Sequence, residues 1–173
     1  MQAFLRKPLI LSVLALGVAF VGQNASADSG DNLHWKSVNG IVAPNNVVGS
    51  GSGALTGAPG PWSTLGGTVS VDPGKGKVDF SVRGLVLAAG NSIGTPGSIV
   101  QVKGTLVCDT NGSAGGGNSV IVETPLVDLD EDGDASFHGN VGALPAVCTT
   151  EPDIAFLIRT GLGTWIGNGT VLH

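Results

Sequence analysis

Residues 66–83 hold the pattern that most narrows what this chain can fold into. Val69 and Val71 alternate with Thr68 and Ser70, and Val78, Phe80 and Val82 alternate with Asp79, Ser81 and Arg83. A period of two places all five apolar side chains on one face of a strand pair. Between them, Asp72-Pro73-Gly74-Lys75-Gly76-Lys77 supplies turn chemistry. Pairing Val71 with Val78 and Val69 with Phe80 preserves that face and sets Asp72 opposite Lys77, so the segment reads as a hairpin with one wet face.

The same grammar recurs along the chain. Residues 33–42 form a first strand carrying Trp35, and residues 85–89, apolar on both faces, are a buried strand or the way into a loop. In residues 99–108, Val100, Val102, Leu106 and Cys108 share a face with Gly104, while Gln101, Lys103 and Thr105 point to a wet face. Val120, Ile121 and Val122 begin another strand. Residues 154–159 and 165–172 are the last two, with Ile158 opposite Trp165 as a buried pair. No segment combines sustained helical spacing with capping signals. Glycine contributes 29 of 173 residues and charged residues only 12%, which suits many tight turns rather than a charged disordered tail. The expected class is all-β, an antiparallel β-sandwich or Greek-key β-barrel of about seven to nine strands.

Residues 1–27 read as a secretory signal peptide: Arg6 and Lys7, an apolar run from Leu9 to Val21, then Ala25-Ser26-Ala27 before a cleavage point after Ala27. The run is too short to cross a bilayer core comfortably, so no membrane insertion is expected after the signal is removed. Residues 28–173 then form a single domain. Its first part, residues 28–65, is poorly patterned and includes a flexible Gly/Ser run at residues 49–53; the main β-domain is residues 66–173. Removing Arg6 and Lys7 leaves six basic side chains against thirteen acidic ones, a net charge of −7. Such a surface repels phosphate backbones and anionic lipid, so nucleic acid is excluded as a partner. The localisation expected is secreted or periplasmic. In that oxidising setting the two cysteines, Cys108 and Cys148, pair as a structural disulfide.

Chemistry concentrates in one turn. Asp128-x-Asp130-x-Asp132-Gly133-Asp134 matches the opening half of a calcium loop, where alternate oxygens converge on a hard cation. The twelfth position is Gly139 where a bidentate glutamate is needed, so a solvated acidic hairpin tip stands beside the calcium reading. In the hairpin register, Leu129 faces Ala135 and Val127 faces Phe137. Glu131-Asp132-Gly133 is then the loop, Gly133 is left-handed and Asp130 sits opposite Asp134. Like charges so placed weaken a hairpin unless something neutralises them.

Several enzyme signatures fall away. Gly90-Asn91-Ser92-Ile93-Gly94 has the letters of a nucleophile elbow, but Thr95-Pro96-Gly97 cannot open the helix that must follow Ser92. Asp109-Thr110-Asn111-Gly112-Ser113 is a single acidic turn where a protease dyad needs two. His34, His138 and His173 lack zinc spacing, and His138 is a solvated side chain near the acidic row. Trp35, Trp62 and Trp165 fit a core better than a sugar-stacking platform, since the chain has no tyrosine and few other rings.

Gln101-Val102-Lys103-Gly104-Thr105-Leu106-Val107-Cys108, Gly133-Asp134-Ala135-Ser136-Phe137-His138-Gly139, Ala155-Phe156-Leu157-Ile158-Arg159 and Gly163-Thr164-Trp165-Ile166-Gly167 together resemble an uncharacterised family of exported bacterial β-domain proteins. The resemblance runs from Gly66 to the C-terminus and implies export and a β-fold, with no activity attached. The hairpin from Gly67 to Val82 is also similar to CHRD-type domains, which are all-β extracellular modules. The function expected is a non-catalytic binding or structural role outside the cytoplasm, with a cell-surface or self-association partner and calcium as a stabilising ion. The alternatives are a secreted hydrolase and a carrier of a small apolar ligand in the barrel interior.

Overall fold

The computed structural model describes residues 32–150 and 153–172; the proposed signal peptide and His173 lie outside the described residues. Thirteen strands follow in order: β1 (Leu33–Gly40), β2 (Val47–Val48), β3 (Leu55–Thr56), β4 (Trp62–Ser63), β5 (Gly66–Asp72), β6 (Lys77–Arg83), β7 (Val86–Leu87), β8 (Gln101–Cys108), β9 (Val120–Glu123), β10 (Val127–Asp128), β11 (Ala135–Asn140), β12 (Ile154–Thr160) and β13 (Trp165–Leu172). Among the described residues, one α-helical turn, α1 (Val147–Thr150), carries Cys148, and Gly51–Gly53 form a 3-10 turn. The fold is all-β. Eight strands form one curled antiparallel sheet in the order β10-β8-β12-β13-β1-β5-β6-β11, a half-barrel, with β9 also paired to β8. Two-stranded pairs, β2 with β3 and β4 with β7, lie beside it.

The hairpin of β5 and β6 has the expected register, with Val71 opposite Val78, Val69 opposite Phe80 and Asp72 opposite Lys77. Its apolar face points into the barrel, where Val69, Val71, Val78, Phe80 and Val82 are all buried. A chain of rings, Trp35–Phe156–Phe80–Phe137, fills the interior with centroids 5.9, 5.8 and 6.2 Å apart. Gly104 on β8 makes room for it: a Cβ there would come within 2.7 Å of Phe156 and 2.9 Å of Phe80. All three tryptophans belong to the core, at 2%, 5% and 3% exposure for Trp35, Trp62 and Trp165. The Cys108 and Cys148 sulfurs are 2.10 Å apart and buried, tying α1 to the end of β8.

Four expectations need correction. Trp165 stands opposite Arg159 and Ile158 opposite Gly167, because a bulge between Ile158 and Arg159 shifts the register. β8 has no wet face over its second half: Thr105 and Val107 are as buried as Leu106, and Val100 lies outside the strand, 68% exposed. The Gly/Ser run at residues 49–53 passes beside Val107, where a Cβ on Gly49 would come within 3.2 Å of Val107 Cγ1, and it is docked rather than loose. Ser50 N donates to Ser119 Oγ (2.8 Å), Ser52 N donates to Asn118 Oδ1 (2.8 Å), and Ser119 N donates to Ser50 O (3.0 Å). A Cβ on Gly53 would lie 2.2 Å from Ser119 O, so glycine is there because two backbones touch. Finally, β10 and β11 form no ladder with each other. β10 pairs with β8 (Val127 opposite Val102) and β11 with β6 (Phe137 opposite Phe80), which places them at the two ends of the sheet.

Candidate functional site

The acidic turn therefore joins the two edges of the half-barrel. Within it, Asp130 N donates to Asp134 O (3.1 Å) and Gly133 N donates to Asp130 O (3.0 Å), with Gly133 at φ +81° as the hairpin reading requires. Both flanks are anchored: Leu129 N donates to Val100 O (2.9 Å) beside β8, and Leu85 N donates to Gly133 O (2.8 Å) beside β6. The turn is a clasp across the seam. It closes locally what the sheet leaves open.

The carboxylates serve this geometry. Asp130 Oδ1 accepts from Asp132 N (3.0 Å) and Asp134 N (2.8 Å), so it caps its own turn. Asp134 Oδ1 accepts from Gly84 N (2.8 Å), reaching across to the end of β6, and Asp128 Oδ1 accepts from Gln101 Nε2 (3.1 Å). Asp132 is exposed at the tip. Among the described residues, no three His, Cys, Asp or Glu side chains gather into a metal-holding group. Backbone N–H groups offset the Asp130/Asp134 repulsion, so a cation has only the outward oxygens to meet. We expect 1 mM calcium to raise Tm over a chelator-treated sample by less than about 2 °C, as for a weakly screened surface cluster. A rise above about 5 °C in differential scanning calorimetry would mean that the aspartates close into a cage.

The other sequence features are structural in their surroundings. Ser92 sits in an exposed turn, where its carbonyl accepts from Thr95 N (3.2 Å) and Thr95 Oγ1 (2.9 Å). Asp109 is fully buried at φ +55°, and its carboxylate accepts from Ala114 N (3.0 Å) and Gly115 N (2.7 Å), organising the loop to which the Gly/Ser run docks. His138 Nδ1 lies 3.2 Å from Asp79 Oδ1 on the wet face. Lys77, followed by His138, holds the Asp79 carboxyl below the usual carboxylate range. Glu123 pairs with Lys103 (2.6 Å) and with Arg159, linking β9, β8 and β12.

Sequence reasoning missed the company the acidic turn keeps. At this end of the barrel β8, β5 and β13 begin and β1, β6 and β12 end. The connections that leave and enter here, residues 41–65, 84–100 and 161–164, contain no charged residue at all, and the first of them reaches along the sheet to dock residues 49–53 beside Ser119 at the other end. They expose Val42 (85%), Val47 (53%), Leu65 (85%), Ile93 (63%), Val100 (68%) and Leu162 (92%), and Leu126 (46%) flanks them; among the described residues the other exposed large apolar side chain is Leu172. A depression of about 490 Å³ joins the two chemistries, with Ile99, Val100 and Leu129 on one side and Asp130, Glu131 and Asp132 on the other. Beside it, Trp62, Leu87, Pro96, Ile99 and Ile166 line an apolar pocket of about 220 Å³. The signal was present in the sequence: turns rich in glycine and proline that carry Ile, Val and Leu and no charge. Comparison with protein-family models, curated proteins and solved structures returns no match.

Proposed function

We propose that the chain is an exported, non-catalytic binding domain that attaches to a protein partner through the loop end of its barrel. The observation that carries this reading is the concentration of exposed apolar side chains at one end, beside a turn with four acidic residues. Scattered single apolar residues need no explanation, whereas a contiguous apolar area rimmed by charge marks an interaction surface. The partner fitted to it presents an apolar anchor for the pocket at Trp62 and Ile166, flanked by lysine or arginine facing Asp130, Glu131 and Asp132. A second copy fits less well, since two such ends would bring like charges together. The interior is occupied by the protein's own rings, which favours surface binding over a barrel-held ligand. Export is supported by the buried cysteine pair at bonding distance, and among the described residues no helix is long and apolar enough to cross a membrane.

The test is site-specific photo-crosslinking in the source cells, with the reactive residue at position 162 or, at the far end of the molecule, position 172. A discrete adduct with another protein from position 162 and none from position 172 is expected. Equal labelling from both positions, or a crosslinked dimer of this chain alone, contradicts the proposal.

A further inference from the structure

A second site lies at the opposite end of the barrel, in the loop that leaves β8. Residues 111–113 are Asn-Gly-Ser, the Asn-x-Ser/Thr sequence that accepts N-linked sugar on exported chains. Two other triplets share the pattern, Asn24-Ala25-Ser26 and Asn168-Gly169-Thr170, and the fold separates the three. Asn111 is exposed, as are residues 113–118, and none of residues 112–118 carries a charge or a side chain larger than that of asparagine. Asn111 Oδ1 accepts from Ser113 N (2.8 Å), a turn that sets the carboxamide beside Ser113. The loop rests on a fixed support, because the buried Asp109 carboxylate accepts from Ala114 N and Gly115 N. Asn168, by contrast, is half-buried in the middle of β13, opposite Asn39 on one side and Leu157 on the other. The Thr170 hydroxyl that belongs to it is already bonded to Ser37 Oγ (2.6 Å) and Asn39 Nδ2 (2.9 Å). Asn24 lies in the proposed signal peptide, outside the described residues.

We propose that Asn111 is an N-glycosylation site, modified by an oligosaccharide that a transferase takes from a lipid diphosphate. In that step Asn111 Nδ2 attacks the anomeric carbon of the first sugar. A C–N bond forms, the C–O bond to the diphosphate breaks, and the lipid diphosphate leaves with the electron pair. One amide proton passes to a base of the transferase, and nothing is oxidised or reduced. Nδ2 keeps its other proton, which is all that its hydrogen bond to Asp153 Oδ2 requires, so the loop holds its shape after transfer. An Asn-Gly pair has a competing fate, attack of the glycine nitrogen on the carboxamide. Here Gly112 N is held by Asp109 O (2.9 Å), which keeps that nitrogen turned away. A sugar on Asn111 stands beyond the end of β8, whereas residues 84–100 lead into its start, so the proposed partner surface stays open. The site rests on the export reading and does not depend on the loop-end partner.

The experiment is peptide mapping by mass spectrometry of the full-length protein isolated from its source cells, with exported and cytoplasmic fractions kept apart. In the exported fraction, the peptide containing Asn111 is expected to carry added sugar mass, placed on that residue by its fragment ions, while the peptide containing Asn168 is bare. Asn111→Gln and Ser113→Ala should each abolish the added mass. Ser113→Thr should keep it, because either hydroxyl completes the acceptor sequence, and Asn168→Gln should leave it unchanged. Unmodified Asn111 in the exported protein overturns the inference and leaves export standing. Sugar on Asn168, or sugar that survives Ser113→Ala, overturns it as well. Protein found only in the cytoplasm overturns the export reading and this site with it.

Discussion

Replacing Gly133 by alanine is expected to destabilise the protein by about 3 kcal/mol, combining a left-handed backbone penalty with a steric one. Gly133 has φ +81°, and a Cβ there would lie 2.6 Å from both the N and the O of Leu85. Those are backbone atoms of the very connection that Gly133 O binds, so relief requires moving the clasp off the edge of β6. Gly142 is the internal control: its φ is +89°, but a Cβ would meet nothing within 4 Å. Gly142→Ala should therefore lose only the backbone part, about 1 kcal/mol. Urea unfolding of the two variants compares them directly. Equal losses would mean that the acidic turn does not hold the seam, and its aspartates would need another explanation.

The second large effect is expected from the cysteines. Cys108 and Cys148 close a sequence separation of 40, and by chain entropy that cross-link contributes about 4 kcal/mol. Changing both to alanine should lower the urea midpoint accordingly while leaving the β-type circular dichroism intact, since β8 keeps its pairing with β12 along seven residue pairs. The closed segment contains β9, β10, the clasp and β11, so its unfolded form gains freedom over the whole seam side of the barrel. A loss below about 1 kcal/mol would say that sheet pairing alone already restricts this segment, contrary to the chain-entropy account.

These two variants probe different kinds of legibility. The hairpin of β5 and β6 was readable because its register is set by neighbours: a four-residue turn and five alternating apolar residues admit one pairing that buries a face. Gly133 was readable for the same reason, as a local turn. The pairing of its flanks was not. β10 and β11 are consecutive in sequence and look like a hairpin, yet each is claimed by a strand far away, β8 and β6, whose exposed edges hold more partners than the short β10 can offer. The bulge at Ile158/Arg159 moved Trp165 by one place for a reason that period-two reasoning does not contain. The Gly/Ser run looked like a linker because composition reports what a segment lacks. Its role depends on Asn118 and Ser119, some 70 residues later, and on backbone contact that only glycine permits.

The candidate sites divide in the same way. The aspartates were visible as letters, while their directions, inward to Asp132 N and Asp134 N and across to Gly84 N, depend on the seam. The apolar loop end is a property of assembled connections, brought together from residues 42 to 162 by the strand order.

The central claim, that the protein works through its loop end, is met most directly by one variant measured in its native setting. Ile93, Val100 and Leu162 are changed together to serine, and the fraction of exported protein retained in a complex is measured by sedimentation of the gently extracted material. Because all three side chains are exposed, Tm should stay within about 2 °C of the parent. The account predicts that retention falls at least about tenfold with the fold intact, as expected on losing a desolvated apolar anchor. Retention equal to the parent's, with the three apolar side chains gone, would contradict it.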